Sequence, residues 1–230
     1  MYNIKCDILS AERKYGQSDG GADLAGLFEK KKRNQTRKDE KLSWPQRIVT
    51  DFHDLVHVLA IFMFVYILLF RVVVVVGPSM YNTLVDGDRL VLISNVLYRN
   101  PKQGDVIVAS KESFRKGECI IKRIIATEGQ TVDIDFQLGV VYVDGVGLQE
   151  DYTYTMTNMD EGMKFPLTVP DGCVFAMGDN RNDSMDSRNP QIGFIDEREI
   201  LGKAVFLMMP GTNEGQEKAQ YDRIGFEVLR

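Results

Sequence analysis

A serine in a sharp turn and a lysine in an apolar run are the residues of this chain best suited to nucleophilic chemistry. Ser79 follows Gly77 and Pro78, a rigid approach that can aim the Ser79 backbone N–H at a developing oxyanion. Lys122 lies among four isoleucines in residues 120–125. Apolar surroundings favour the neutral amine, which can act as a base. Composition alone also accommodates an exposed lysine on the polar face of a strand.

Histidines and cysteines narrow the possible mechanisms. The two histidines, His53 and His57, lie in or beside one long apolar segment, away from the later polar motifs. This argues against a Ser-His-Asp triad, a Cys-His protease and a His-ligated metal. Cys6, Cys119 and Cys173 form no C-x-x-C pair, so we expect no zinc site and no cofactor. Cys119 and Cys173 could form a disulfide or be two buried thiols.

A third cluster is the string Gly-Asp-Asn-Arg-Asn-Asp-Ser-Met-Asp-Ser-Arg at residues 178–188. Its side chains can hydrogen-bond locally and with each other. Asp179, Asp183 and Asp186 could also ligate calcium, although the spacing is not that of an EF-hand. A solvated loop is the remaining interpretation.

The apolar segment predicts a membrane anchor. Residues 58–76 contain one charge, Arg71, and as a helix they would span about 28 Å, close to the hydrocarbon thickness of a bilayer. A buried core helix is the alternative. Eight Lys/Arg in residues 30–47 favour a cytosolic N-terminus, with the later residues outside. We expect the helix to run from near Ile48 to near Phe70, followed by a strand of valines.

The chain is therefore predicted to have three parts. Residues 1–47 form a flexible basic cytosolic arm, residues 48–71 the transmembrane anchor, and residues 72–230 a mainly β extracytoplasmic domain. That domain has 16 Lys/Arg against 24 Asp/Glu, and the whole chain has a formal charge of −5. This acidic balance argues against nucleic acid as a partner. Strands are predicted for the segments 89–93, 105–108, 119–125, 140–143, 174–177 and 204–208, with Asp144-Gly145 as a hairpin turn.

In this order the motifs resemble the bacterial type I signal peptidases. The resemblance rests on the anchor, Gly-Pro-Ser-Met at residues 77–80, Ile-Lys-Arg-Ile at residues 121–124 and the string at residues 178–188. It implies a mainly β catalytic domain at the membrane, with Ser79 as nucleophile and Lys122 as general base.

The same resemblance assigns the supporting residues. Ser184 would hydrogen-bond the lysine amine, and Asp186 would pair with Arg188. The wall of the site would be shaped by Gly178, Asp179 and Asn180. Substrate pockets would be lined by Gly77, Pro78, Met80, Leu84 and Ile121.

The implied substrates are signal peptides of exported preproteins, bound as a strand beside the Lys122 strand and cleaved through an acyl-enzyme on Ser79. The implied surroundings are the lipids of the bacterial cell membrane and the protein export machinery. Gly77 departs from many family members, which have a serine there whose hydroxyl helps the oxyanion hole. A backbone group or water must take that role, as in some Gram-positive forms.

Two other functions remain open. One is a different Ser-Lys protease, such as a self-cleaving repressor, against which the anchor and the lack of a DNA-binding segment argue. The other is an inactive or specialised membrane-anchored homologue that only binds peptides. The presence of Ser79, Lys122 and Ser184 together favours an enzyme.

Overall fold

The computed structural model describes residues 43–111, 118–212, 220–226 and 229. The predicted arm, residues 1–47, lies outside this part of the chain except for its last five residues. The chain divides into two compact units, residues 1–60 and 61–230.

The helix α1 spans Trp44–Leu69. It begins four residues before the predicted start because Ser43 and Gln46 form a cap, in which the Ser43 backbone N–H donates to Gln46 Oε1 at 3.1 Å. The helix ends where the β-branched run begins, and the predicted valine strand is present from Phe70 onward. By length and composition α1 is apolar enough to cross a membrane.

The second unit contains two antiparallel sheets. The larger has the order β1-β2-β11-β3-β4-β9-β10, and the smaller β7-β6-β5-β8. The strands are β1 (Phe70–Val74), β2 (Arg89–Ser94), β3 (Val106–Ser110), β4 (Cys119–Thr127), β5 (Thr131–Asp135), β6 (Val140–Val143), β7 (Val146–Gly147), β8 (Leu167–Thr168), β9 (Cys173–Met177), β10 (Ile195–Asp196) and β11 (Ile200–Met209).

The mainly β fold is thus confirmed, and so is each predicted strand. The hairpin between β6 and β7 turns at Asp144 and Gly145, both with positive φ, as a type I′ turn requires. The strands β5, β8 and β10 were not predicted. Two of them have only two residues, and β5 carries Asp133 and Asp135, which weaken a strand pattern.

The two cysteines in the described part of the chain are free thiols. Cys119, at the start of β4, is exposed, and Cys173, at the start of β9, is half-buried. Of the two possibilities that the sequence left open, the structure has thiols, but the expected burial is wrong for Cys119, which stands at the exposed start of β4.

A buried ion pair between Arg223 and Asp88 connects the segment around residue 223 to the turn before β2. Asp88 is fully buried, and its carboxylate accepts hydrogen bonds from both Nη atoms of Arg223, at 3.1 and 2.8 Å. The same guanidinium donates to the Thr83 carbonyl at 2.9 Å. The backbone N–H groups of Val85 and Gly211 also donate to Asp88. Arg223 therefore supports the segment that follows Ser79.

We predict that Arg223→Met lowers the free energy of unfolding by about 3 kcal/mol, because it leaves a buried carboxylate without its counter-charge. Chemical denaturation of the detergent-solubilised protein measures this. The matched control is Arg198→Met, which removes an exposed partner of Asp196 and should change the free energy of unfolding by less than about 1 kcal/mol. Equal effects of the two substitutions would contradict the prediction.

Candidate active site

Ser79 lies in a turn that several hydrogen bonds hold in place. Gly77 has a φ of +86°, which favours glycine, and its N–H donates to Asp86 Oδ1 at 2.8 Å. The Asn180 backbone N–H donates to the Ser79 carbonyl at 3.0 Å. The Asn180 side chain donates to the Pro78 carbonyl at 3.2 Å. The loop after β9 therefore fixes the backbone on which Ser79 stands.

Lys122 approaches Ser79 from β4. Its Nζ lies 2.7 Å from Ser79 Oγ, within hydrogen-bond distance, and the residue is 4% exposed. On one side β4 pairs with β3 over Cys119–Arg123. On its other side, pairing with β9 begins only at Arg123. Among the described strands, the backbone of residues 119–122 is thus paired on one side alone.

This half-paired stretch forms one wall of a groove of about 470 Å³. The groove is lined by residues 73–80 and 118–122, with Val108 and Met185 completing the lining. Ser79 and Lys122 are both in this lining. The groove therefore brings the two predicted catalytic side chains together beside two extended backbones.

Burial lowers the pKa of Lys122 to about 8. The negative charges of Asp186, Glu161 and Asp179 act in the opposite direction, and the positive charge of Arg188 acts with burial. A fraction of Lys122 is therefore neutral near physiological pH, as a base must be.

The predicted pair of Asp186 and Arg188 is present. Both side chains are fully buried, and two hydrogen bonds of 2.9 and 2.8 Å join them. Burial by itself would raise the pKa of Asp186, but the hydrogen bonds and charge of Arg188 hold this pKa below its usual range. The Gly178 N–H also donates to Asp186, at 2.9 Å.

One predicted contact is absent. Ser184 Oγ is buried and has no hydrogen-bond partner among the residues that the structure describes, so the expected hydrogen bond to Lys122 is not formed. The hydroxyl packs against Gly178, within 3.0 Å of the place where a Cβ on Gly178 would stand. The Lys122 amine instead has Ser79 Oγ as its neighbour.

The predicted pocket residues separate into two groups. Gly77, Pro78, Met80 and Ile121 line the groove. Leu84 does not line it. Its side chain is fully buried in the core, since the Leu84 backbone folds back in a turn, donating to the Met80 carbonyl at 2.8 Å.

Sequence reasoning missed the role of Arg123, the residue after the lysine. Arg123 makes two hydrogen bonds to the Asp179 carboxylate, at 2.9 and 2.8 Å, and both residues are fully buried. Thr83 also donates to Asp179, at 2.6 Å. These contacts join β4, the loop after β9 and the segment after Ser79. The signal in the sequence was a basic pair inside an apolar run, of which only the lysine was interpreted.

The arginine contacts also bear on the calcium alternative. The carboxylates of Asp179 and Asp186 are each held by a buried arginine. In the described ranges, no group of three acidic, histidine or cysteine side chains is arranged to hold a metal ion.

A serine hydroxyl in contact with a buried, easily deprotonated amine forms a nucleophile and base suited to acyl transfer. This geometry suits a serine hydrolase that uses lysine as its base. Comparison with known proteins gives the family.

A family model described as "Signal peptidase, peptidase S26" matches residues 49–209. The chain is 40% identical over 147 residues to a protein of Synechocystis sp. named "Probable signal peptidase I-1", and the match covers 61% of this chain and 71% of that protein. It is 36% identical over 160 residues to "Signal peptidase I T" of Bacillus subtilis, with 65% and 79% covered.

A solved structure of a signal peptidase I from Enterococcus faecalis V583 is 32% identical, with a TM-score of 0.37, and the match covers 46% of this chain and 97% of that chain. The assignment rests on the sequences. Because the family model covers more than half of the chain, the chain belongs to the signal peptidase family, peptidase S26. It is a serine endopeptidase of the kind that cleaves signal peptides.

We predict that Gly178→Ala lowers kcat/KM at least about a hundredfold, because its Cβ would meet Ser184 Oγ and the Ser79 carbonyl at impossibly short distances and displace the nucleophile. Gly147→Ala is the control, since its Cβ would make ordinary contacts of 3.5 Å or more. Steady-state cleavage assays compare the two. Wild-type kcat/KM in Gly178→Ala would show that the close packing of Gly178 on Ser79 does not matter.

Proposed function

We propose that this protein is a membrane-anchored signal peptidase that removes signal peptides by a Ser-Lys dyad, with Ser79 as nucleophile and Lys122 as general base. The observation that carries the proposal is the 2.7 Å contact between Lys122 Nζ and Ser79 Oγ at the groove. The lowered pKa of Lys122 supports it, because a charged lysine cannot accept the proton.

The proposed reaction has two steps. Ser79 Oγ attacks the scissile carbonyl carbon while Lys122 takes the hydroxyl proton, and the lysine then gives that proton to the leaving amine as the C–N bond breaks. Water next attacks the acyl-enzyme ester, Lys122 accepts a proton from this water, and Ser79 regains its hydrogen as the ester bond breaks. The Ser79 N–H donates to no acceptor in the described chain and suits the oxyanion.

The groove is suited to an extended peptide. One wall, residues 119–122, has backbone groups without a strand partner in the described chain, so a substrate strand could pair there. The lining includes Val73, Val75 and Ile121, which favour apolar side chains. We infer that residues preceding the cleavage site of a signal peptide bind here.

The location follows from α1 and the basic residues before it. We propose that α1 crosses the bacterial cell membrane once, with the residues before it, 1–43, as a cytoplasmic arm and the β unit as the peptidase domain outside. Membrane lipids and the export machinery would then be its surroundings, and anchoring would raise the effective concentration of emerging signal peptides.

We predict that Ser79→Ala and Lys122→Arg each lower preprotein cleavage at least about a thousandfold, because one removes the nucleophile and the other a base that can become neutral. Gel-based cleavage of a preprotein with an A-x-A site by detergent-solubilised enzyme measures this. Lys203→Arg, a conservative change in β11 that keeps the charge facing Asp105, should retain the wild-type rate. Substantial turnover by either dyad variant would overturn the assignment.

The rate should also depend on pH in one direction. Because Lys122 must be neutral in the free enzyme and its pKa is about 8, kcat/KM should rise as pH increases from 6 and reach half its plateau near pH 8. A pH–rate profile with the same preprotein tests this. A rate that is constant from pH 6 to 9 would contradict lysine as the base.

A further inference from the structure

The Arg188 guanidinium is surrounded by more acceptors than it can serve. Its Nε donates to Asp186, and its Nη1 donates to the Met159 carbonyl at 3.1 Å. Its Nη2 carries two hydrogens, and these face Asp186 Oδ2 at 2.8 Å and the Arg181 carbonyl at 2.6 Å. The Ser184 carbonyl lies 3.5 Å from the same nitrogen.

Glu161 is a second carboxylate at this nitrogen. Its Oε1 lies 3.0 Å from Arg188 Nη2, but this buried oxygen has no hydrogen bond among the described residues. Two acidic side chains therefore lie against one guanidinium. Asp186 accepts hydrogen bonds from it, whereas Glu161 is close to it without a hydrogen bond.

We propose that Glu161 is a positioning residue of the active site, which shares Arg188 with Asp186 and thereby sets how much negative charge acts on the Lys122 amine. This inference rests on the proposed role of Lys122 as base. It adds a residue that lies outside the string at residues 178–188.

The charges give the direction of the effect. With Glu161 and Asp186 both ionised, Arg188 neutralises only one of them, and the excess negative charge favours the protonated form of Lys122. The negative charges of Glu161, Asp186 and Asp179 raise the pKa of Lys122, and the positive charge of Arg188 lowers it. Removing the charge of Glu161 should therefore make the lysine easier to deprotonate.

Glu161 itself titrates in the relevant range. Burial and, to a smaller extent, the charge of Asp186 raise the pKa of Glu161 to about 7, against the opposing effect of Arg188. Glu161 and Lys122 thus change charge within neighbouring pH ranges and form a coupled pair. Once Glu161 has lost its proton, its negative charge favours the protonated form of Lys122. The acid limb of the activity profile should therefore lie at higher pH than it would without Glu161.

The test compares Glu161→Gln, which removes the charge, with Glu161→Asp, which keeps it. We expect Glu161→Gln to shift the titration of Lys122 to lower pH by about half a unit, which makes kcat/KM at pH 7.5, where most of Glu161 is ionised, about one and a half times higher relative to its plateau. Glu161→Asp should keep the wild-type titration. The control is Asp160→Asn, an exposed neighbouring acid, which should leave it unchanged.

Two readouts separate the inference from the proposed function. NMR titration of the full-length detergent-solubilised protein labelled with [ε-¹³C]lysine follows Lys122 directly, with its signal assigned by its loss in Lys122→Met. The pH–rate profile follows turnover. An unchanged or higher Lys122 titration midpoint in Glu161→Gln would overturn the inference, whether or not preproteins are cleaved. A lower midpoint in a protein that cleaves no preprotein would uphold it and count against the proposed function.

Discussion

The amine of Lys122 must be neutral to accept a proton, although it lies in a unit that is rich in carboxylates. Burial supplies the main effect, since the side chain is 4% exposed and a charged ammonium is costly there. Burial would no longer keep the amine neutral if Asp186 or Asp179 contacted it, because either carboxylate would stabilise the ammonium form. Buried arginines prevent this. Arg188 holds Asp186 and Arg123 holds Asp179, each through two hydrogen bonds.

The architecture follows from this requirement. Lys122 and Arg123 are neighbours on β4, yet one reaches Ser79 and the other reaches Asp179. The same loop after β9 supplies Asp179 and then Asn180, which binds the backbone of the Ser79 turn. The proposed nucleophile, the proposed base and the arginine that holds a competing carboxylate are therefore positioned by one strand and one loop. Because hydrogen bonds hold this loop to β4 and to the Ser79 turn, the serine and lysine lie within hydrogen-bond distance before substrate binds.

Local sequence patterns were enough to predict most of the secondary structure and part of the candidate site. The apolar strands, the Asp144-Gly145 hairpin and the helix with its following strand could be predicted from periodicity and turn residues. The motif order pointed to Ser79 and Lys122, which lie in contact, and to the pair of Asp186 and Arg188, which is present. The other contacts between distant segments could not be predicted. The burial of Leu84, the lack of a hydrogen-bond partner for the Ser184 hydroxyl among the described residues, and the approach of Glu161 to Arg188 depend on how loops pack, which no local periodicity records. The start of α1 was also missed, because a capping pair was overlooked beside a conspicuous apolar run.

The central claim is that a neutral Lys122 activates Ser79, and acylation of Ser79 tests it most directly. A serine-directed acylating peptide analogue is mixed with the solubilised protein over a range of pH, and mass spectrometry locates and counts the adduct. The account predicts one adduct, on Ser79, that forms faster as pH rises through about 8 and forms at least about a thousandfold more slowly in Lys122→Met. Acylation of another residue, or equally fast acylation of Ser79 in Lys122→Met, would contradict it.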